Sequence, residues 1–416
     1  MHKHPFWEKK LKTAYYCLAI FIWAGFLFHK SDHPQIAFYS YKYALWLSCS
    51  FLFLFGLPFI ISRNKRTAEN YYLLAVSIIT VVFLAEITSH LIIKMRQAAI
   101  FSQYSRKIEI SLYDAGKDGN LGYVLKKNNS HHALKLFPDG TPIYNVTYTT
   151  DKFGRRTVGQ KYLPQNRHLI LFGCSIAYAE GLNDRETLQY MLGEKMPGVN
   201  VYNYAVYAYG PQQMLALLET GRLPAEVESN AGRAVYIYYN SHIDRATGSM
   251  RAPWTYDFPY YRMNKDGRLE RRGSFVTGRP LITRIYKFFD ILKYKSAFLR
   301  LVNFSLPIRV SRQDIRLTAE IIKEARRQYE RQFRGKFYVL IYPLEKEDER
   351  VKKLRSILEL SGITVLYYPL EGEEYVINGD YHPNARLNEF LTNSLVRDLS
   401  RSGKGSLTTG IKVTAQ

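Results

Sequence analysis

Five short apolar runs, which alternate with helical patterns, constrain this chain more than any other feature. Strands that alternate with helices pair in parallel, and helices then cover both faces of the sheet. The sequence therefore predicts an α/β domain over 166–400 with a flavodoxin-like, doubly wound parallel sheet. The predicted strands are His168–Phe172, Val199–Val206, Ala234–Tyr239, Phe337–Tyr342 and Thr364–Tyr368. The predicted helices are 187–196, 212–218, 314–332, 347–360 and 385–399.

Three further apolar runs, at 13–28, 43–61 and 71–93, precede this domain. A helix that crosses a membrane needs about 20 mostly apolar residues, so these runs predict a membrane region over 1–96 with three transmembrane helices. A signal peptide is the alternative for the first run, but no small-residue cleavage site follows it. Glu86 and His90 lie near the outer end of the third run, where we expect them to reach the membrane interface.

The orientation of these predicted helices follows from their basic flanks. Lys9, Lys10 and Lys12 precede the first run, and Arg63, Lys65 and Arg66 precede the third. Lys and Arg favour the cytoplasmic side, so three spans place the soluble domain outside the cytoplasm. We therefore expect a multi-pass protein of the inner (plasma) membrane whose soluble domain faces the periplasm or the exterior.

The remaining segments do not fit the alternation of strands and helices. Residues 97–165 predict a β-rich lead-in, with a hairpin signal at Pro138-Asp139-Gly140 between apolar runs. Residues 245–312 form a long insertion that is aromatic and basic at first and helical from about 281 to 302. The Gly-, Ser- and Thr-rich tail over 401–416 predicts disorder.

The net charge of the chain limits the kinds of partner that it is expected to bind. Lys and Arg total 58 against 36 Asp and Glu, which gives a formal net charge of +22. Neither zinc-finger spacing nor a single-strand-binding motif is present, so we predict no nucleic-acid partner and favour a basic surface beside anionic phospholipid. The three cysteines, Cys17, Cys49 and Cys174, cannot form a disulfide framework within the soluble domain.

Polar segments follow the predicted strands at the points where those strands end. The carboxyl ends of parallel strands meet at one edge of a sheet, so these segments converge there. Ser175 comes directly after the first strand, at the start of a helix, where its backbone N–H is free to stabilise an oxyanion. The alternative is that Ser175 only caps that helix. The four segments are Gly173-Cys174-Ser175, 203–213, Tyr238–His242 and Gly379–Asn384.

From about residue 120 to 400, the chain resembles the SGNH, or GDSL-type, hydrolase superfamily. Residues 173–187 are similar to the nucleophile segment of that family, and residues 150–155 resemble a lead-in often found before it. The resemblance implies that Ser175 is the nucleophile, His382 the general base and Asp380 the group that orients the imidazole. It also implies an oxyanion hole made of the Ser175 and Ala208 backbone N–H groups and the Asn240 side-chain amide.

Three positions depart from the family pattern. Cys174 replaces the usual Asp before the serine, Ala208 replaces a glycine, and Asp380 stands two residues before His382 instead of three. A thiol nucleophile at Cys174 is therefore an alternative. We favour Ser175, because its neighbour would point to the opposite side of the turn.

Other candidate residues carry a functional and a packing interpretation. Trp254 and Tyr256 begin an aromatic cluster that either stacks on sugar rings or forms the packed root of the insertion. His242 and Asp244 are either a second acid/base pair or part of the rim, and Asp244 is the alternative carboxylate for orienting His382. The adjacent His131 and His132 lack further metal ligands at suitable spacing, so we predict no metal and no other cofactor.

The resemblance implies a membrane-anchored serine esterase that removes O-acyl groups, with O-acetyl as the expected group, from cell-envelope carbohydrate or glycolipid. Its partners would be a carbohydrate or lipid-linked acyl ester and the membrane. The first alternative is an O-acetyltransferase in surface polysaccharide modification, which would need a membrane partner to deliver acyl groups. The second is a non-catalytic subunit for envelope assembly, a role compatible with the replacements at Cys174 and Ala208.

Overall fold

The computed structural model describes residues 65–101, 108–110, 114–137 and 139–401. They divide into two compact units: α1 with Arg284–Ile308, and the other described residues. The strands are β1 Ile108–Ile110, β2 Ala115–Asp118, β3 Gly122–Leu125, β4 Ser130–Leu136, β5 Pro142–Thr150, β6 Arg156–Thr157, β7 Arg167–Phe172, β8 Val199–Asn203, β9 Ala231–Tyr238, β10 Pro259–Met263, β11 Leu269–Ser274, β12 Arg334–Ile341 and β13 Thr364–Tyr367. The α-helices are α1 Lys65–Phe101, α2 Ser175–Tyr178, α3 Leu188–Lys195, α4 Pro211–Glu219, α5 Leu223–Glu226, α6 Ser241–Thr247, α7 Phe275–Gly278, α8 Pro280–Lys295, α9 Ala297–Leu301, α10 Arg312–Gln332, α11 Glu349–Leu360 and α12 Ala385–Arg401.

The second unit is built on a nine-stranded sheet with the order β1-β4-β5-β6-β8-β7-β9-β12-β13. Its last five strands pair in parallel. Numbered along the chain, these five stand in the order 2-1-3-4-5, which is the flavodoxin-like order. The prediction of a doubly wound parallel sheet is confirmed.

The central parallel strands are buried on both faces because helices cover the sheet. In β7, all residues from His168 to Phe172 are buried, and β9 is buried from Ala234 onward. The second predicted strand ends at Asn203 instead of Val206. The Asn203 side chain accepts a hydrogen bond from the Ala205 N–H at 3.0 Å and turns the chain away from the sheet.

The lead-in extends the same sheet through antiparallel strands. The predicted hairpin is present as the β4–β5 pair, with Leu134 opposite Asn145. The short strand β6 then joins β5 to β8, where Arg156 pairs with Asn203. This continuity brings the lead-in hairpin to the sheet edge that carries the polar segments.

The first unit consists of α1 and Arg284–Ile308. Among the helices that the structure describes, none is both long enough and apolar enough to cross a membrane. The predicted span at 71–93 lies inside α1 and is not supported by this finding, while 13–28 and 43–61 lie outside the described residues. Glu86, expected at a membrane interface, is instead buried against Ser296 and Ala297. The predicted disordered tail is also outside the described residues except for Arg401.

Candidate active site

The strand β7 leads directly into the turn that carries Ser175. Gly173 makes this turn possible: it has φ +155°, and a Cβ there would lie 2.8 Å from the Ala177 Cβ. Cys174 is 1% exposed, so its thiol is packed into the core. Ser175 is half-buried and is the first residue of α2. The first N–H groups of a helix have no intrahelical acceptor, so the Ser175 N–H suits an oxyanion.

The segment after Ser175 is held by a fully buried arginine. The Arg156 guanidinium donates to the carbonyl oxygens of Tyr178, Ala179 and Leu182 at 2.7, 2.6 and 2.7 Å. These bonds fix the end of α2, where Ala179 adopts the left-handed conformation with φ +67°. Sequence reasoning missed Arg156, because nothing in the local sequence shows that this side chain is buried or which carbonyl groups it binds.

Asp380 and His382 form a close pair in the loop before α12. His382 Nδ1 lies 2.6 Å from Asp380 Oδ1, and the His382 backbone N–H donates to the same oxygen at 3.1 Å. The two-residue spacing therefore suits this pair, because Asp380 Oδ1 binds both the ring nitrogen and the backbone N–H of His382. Asp244, the alternative carboxylate, instead bonds Ser249 Oγ at 2.8 Å and lies 3.3 Å from Arg251.

Lys135 of β4 completes the surroundings of Asp380. Its Nζ lies 2.8 Å from Asp380 Oδ2, and both side chains are at most 10% exposed. Burial alone would raise the pKa of Asp380, but the hydrogen bonds and charges of His382 and Lys135 outweigh it. The pKa of Asp380 is therefore held well below its usual range. Sequence reasoning missed Lys135, which reaches the site only through the register of the β4–β5 hairpin.

A second carboxylate faces the other nitrogen of His382. Glu180 Oε2 lies 3.6 Å from His382 Nε2, and the Glu180 side chain is 5% exposed. Burial lowers the pKa of His382, but the Asp380 hydrogen bond and the charges of Glu180 and Asp380 outweigh it despite the opposing charge of Lys135. The net result is a raised pKa of His382.

The Asp380–His382 loop packs against the segment that follows Ser175. The Glu180 N–H donates to the Ser175 carbonyl at 3.0 Å, so Glu180 links the serine turn to His382. Gly181 allows this packing, because a Cβ at that position would lie 2.6 Å from the Ile377 side chain. The structure therefore brings the serine turn and the Asp–His pair to the same end of the sheet.

Ala208 lies in the loop after β8 with φ +59°, a left-handed conformation that favours glycine. Tyr123 clamps this loop on both sides of Ala208. Its hydroxyl donates to the Tyr207 carbonyl, and its own carbonyl accepts from the Tyr209 hydroxyl. The left-handed conformation explains why the family resemblance expects glycine at this position, and Ala208 adopts it at a cost in backbone strain.

Asn240 stands at the end of β9 and is held by Glu345. The Asn240 N–H donates to Glu345 Oε2 at 3.2 Å, and the Tyr238 hydroxyl donates to Asn240 Oδ1 at 3.4 Å. Burial raises the pKa of Glu345, although the hydrogen bonds from Asn240 oppose this effect. Sequence reasoning did not identify Glu345, which reaches Asn240 from the loop after β12.

The other candidate residues have mixed outcomes. Tyr256 is 5% exposed, so its ring is not available for stacking on a sugar. Trp254 is 50% exposed and lies under the Arg245 guanidinium, 5.9 Å from the ring centroid. His242 is completely buried, its Nδ1 lies 2.6 Å from the Tyr236 hydroxyl, and burial lowers its pKa. His242 is therefore packed inside the domain instead of acting at its rim.

No protein-family model and no curated protein matches the chain. Among solved structures, the chain is similar to a lipolytic protein of the G-D-S-L family from Veillonella parvula, with 13% identity, a TM-score of 0.32, and coverage of 56% of this chain and 99% of that chain. It is also similar to the psychrotrophic esterase EstA from Pseudoalteromonas sp., with 10% identity, a TM-score of 0.35, and coverage of 58% and 100%. A third is the carbohydrate acetylesterase Est24 from Sinorhizobium meliloti, with 9% identity, a TM-score of 0.31, and coverage of 57% and 100%. The identities and TM-scores are low, so these similarities carry no conclusion about the activity of this chain.

Proposed function

We propose that the second unit is a serine esterase of the SGNH type that removes O-acyl groups, with O-acetyl as the expected group, from a carbohydrate or glycolipid. One observation carries the proposal. The Asp380–His382 pair, joined at 2.6 Å, packs through Glu180 against the turn where Ser175 begins a helix at the end of β7. A hydroxyl, an imidazole and an orienting carboxylate are the parts that nucleophilic acyl transfer needs.

In the proposed reaction, Ser175 Oγ attacks the acyl carbonyl and transfers its proton to His382 Nε2. Asp380 stabilises the imidazolium through Nδ1. The N–H groups of Ser175 and Ala208 and the Asn240 amide donate to the oxyanion. His382 then protonates the departing sugar oxygen, and water hydrolyses the acyl-enzyme to regenerate Ser175. Before attack, His382 must be neutral, and Nε2 must turn from Glu180 toward the serine.

Trp254 supports a sugar substrate near this site. Arg245 donates to the Tyr209 carbonyl at 2.7 Å, next to Ala208, and also lies over the Trp254 ring. The half-exposed indole is therefore linked to the loop that supplies an oxyanion donor. An aromatic face of this kind packs against the apolar face of a sugar ring.

The test compares Ser175→Ala with Cys174→Ala in the purified full chain, using p-nitrophenyl acetate. Ser175→Ala should lose at least about 10²-fold in kcat/KM, because the nucleophile is gone. Cys174→Ala removes a buried thiol and should keep turnover. Intact-protein mass spectrometry should detect an acetyl adduct that disappears in Ser175→Ala only. Full activity of Ser175→Ala together with an inactive, folded Cys174→Ala would assign the reaction to the thiol.

We also propose that the chain is anchored in the inner membrane through the apolar runs at 13–28 and 43–61, with residues 1–12 and 62–66 on the cytoplasmic side. The basic residues that flank these runs support this orientation. Alkaline phosphatase fused after residue 35, between the two runs, should be active, and the same enzyme fused after residue 66 should be inactive. The reverse pattern would invert the topology.

A further inference from the structure

The segment Arg284–Ile308 exposes an unusual amount of apolar side chain. Soluble domains rarely expose large contiguous apolar patches, so this surface calls for a covering partner. Most of the exposed positions recur every three or four residues, so they form a broad apolar surface that follows α8 into α9. They are Ile285, Phe288, Ile291, Tyr294, Phe298, Val302 and Ile308, with exposed fractions between 39% and 71%.

Basic side chains are interleaved with this apolar surface. Between residues 284 and 308 there are five Lys or Arg residues and one acidic residue, Asp290, which gives a net charge of +4. Long basic side chains can lay their aliphatic stems along an apolar surface while their charged ends reach phosphate groups. The combination is complementary to anionic lipid headgroups above an acyl-chain region. The basic residues are Arg284, Lys287, Lys293, Lys295 and Arg300.

A buried carboxylate holds this segment on α1. Glu86 accepts hydrogen bonds from the Ser296 hydroxyl, from the Ala297 N–H at 2.8 Å and from the Phe298 N–H at 3.4 Å. The carboxylate therefore satisfies the first N–H groups of α9, where a negative charge is favourable. A buried charge with this set of donors indicates a defined docking of the segment.

The apolar surface of this unit continues on α1. Seven large apolar side chains of that helix are exposed, and the helix follows the apolar runs at 13–28 and 43–61 in the chain. A bilayer that holds the N-terminal region would lie beside this unit. The exposed residues on α1 are Leu73, Leu74, Ile78, Val81, Leu84, Leu91 and Met95.

We infer that Arg284–Ile308 lies in the interface of an anionic phospholipid bilayer, with its apolar side chains below the headgroups and its basic side chains among the phosphates. The insertion thus forms a lipid contact separate from the predicted N-terminal spans. A second copy of the chain would also cover apolar residues, but two copies meeting at this segment would bring its net charge of +4 against the same charge. The inference does not depend on esterase activity.

The test measures lipid contact directly in the full chain. The protein, with Cys17→Ser and Cys49→Ser and the buried Cys174 retained, is reconstituted in phosphatidylcholine/phosphatidylglycerol vesicles. An NBD fluorophore is attached at Ile285→Cys or, as a second variant, at Ile291→Cys. Leu360→Cys is the matched control, because Leu360 is an 89% exposed leucine on α11 in the other unit.

Labels at 285 and 291 should show blue-shifted emission and severalfold stronger quenching by doxyl-labelled lipid than the label at 360. Equal quenching at all three positions would overturn the inference. Protection at 285 and 291 from both doxyl lipid and aqueous iodide would also overturn it, because it would indicate a protein partner or a second copy. The fluorescence is read without substrate, so its failure is distinct from failure of the esterase proposal.

The charge on the segment is tested with the same label at 285. Arg284→Glu with Lys287→Glu, two exposed cations of α8, should reduce doxyl quenching in vesicles that contain phosphatidylglycerol, and Lys352→Glu on α11 is the control. If the paired substitutions leave the quenching unchanged, the segment does not bind anionic headgroups through its basic side chains.

Discussion

Asp380→Asn tests the core of the proposed site, because it removes one negative charge and keeps the side-chain shape. In the structure, Asp380 Oδ1 receives His382 Nδ1 at 2.6 Å, and Oδ2 lies 2.8 Å from Lys135 Nζ. An amide can donate to Nδ1, which places the imidazole proton on Nε2. His382 then cannot accept the proton of Ser175.

The expected magnitude follows from this change of tautomer. The equivalent substitution in serine triads lowers kcat by about 10⁴-fold, which corresponds to about 5.4 kcal/mol at about 1.36 kcal/mol for each factor of ten. The substitution also leaves Lys135 without its buried counter-ion. Breaking a buried pair in this way costs about 3–5 kcal/mol of folding stability. Turnover must therefore be measured on a variant shown to be folded.

The assay is steady-state hydrolysis of p-nitrophenyl acetate above the titration range of His382, with urea unfolding measured in parallel. Asp398→Asn on α12 is the matched control, since Asp398 accepts a hydrogen bond from the Tyr368 hydroxyl at 2.7 Å outside the proposed site. The control should keep turnover. A folded Asp380→Asn variant within about tenfold of wild type would refute the orienting role, since about 10⁴-fold is expected, and Glu180 would become the next carboxylate to substitute.

Three further outcomes are expected. Because the pKa of His382 is raised, kcat/KM should fall on the acid side at a pH above an ordinary histidine pKa. Glu180→Gln should shift this fall to lower pH, since it removes a negative charge that favours the imidazolium. An unchanged pH profile would contradict this. Ala208→Gly should preserve turnover and raise the unfolding free energy by about 0–1.6 kcal/mol, because relief of about 1–2 kcal/mol of left-handed strain is partly offset by about 0.4–1 kcal/mol of glycine entropy. A clear loss of stability in urea unfolding would contradict this. Because the pKa of Asp380 is depressed in the folded state, its ionisation stabilises the fold at pH values above the unfolded carboxyl pKa of about 3.9. The difference in unfolding free energy between wild type and Lys135→Met should therefore be largest near neutral pH and shrink below a pH of about 4. Urea unfolding at a series of pH values measures this difference.

The sequence by itself determined the architecture of the second unit. The spacing and composition of apolar residues indicate how a segment is buried. Strands that are buried on both faces and alternate with helices form few arrangements other than a parallel sheet. The same local logic placed Ser175 directly after the first parallel strand, whereas His382 was assigned through the family resemblance. It also separated Ser175 from Cys174, since adjacent residues in a turn face different sides and the structure buries the thiol.

Only the tertiary structure decided what surrounds these groups. Lys135 meets Asp380 across 245 positions of sequence through strand register, and Glu86 meets Ser296 across 210. Tyr256 is buried, although the aromatic composition of its segment is also typical of a sugar-binding surface. The physical reason is that a local pattern records whether a side chain prefers burial, whereas its partner depends on how distant segments pack. The charges that tune His382 and the contacts that hold the insertion are therefore properties of the folded chain.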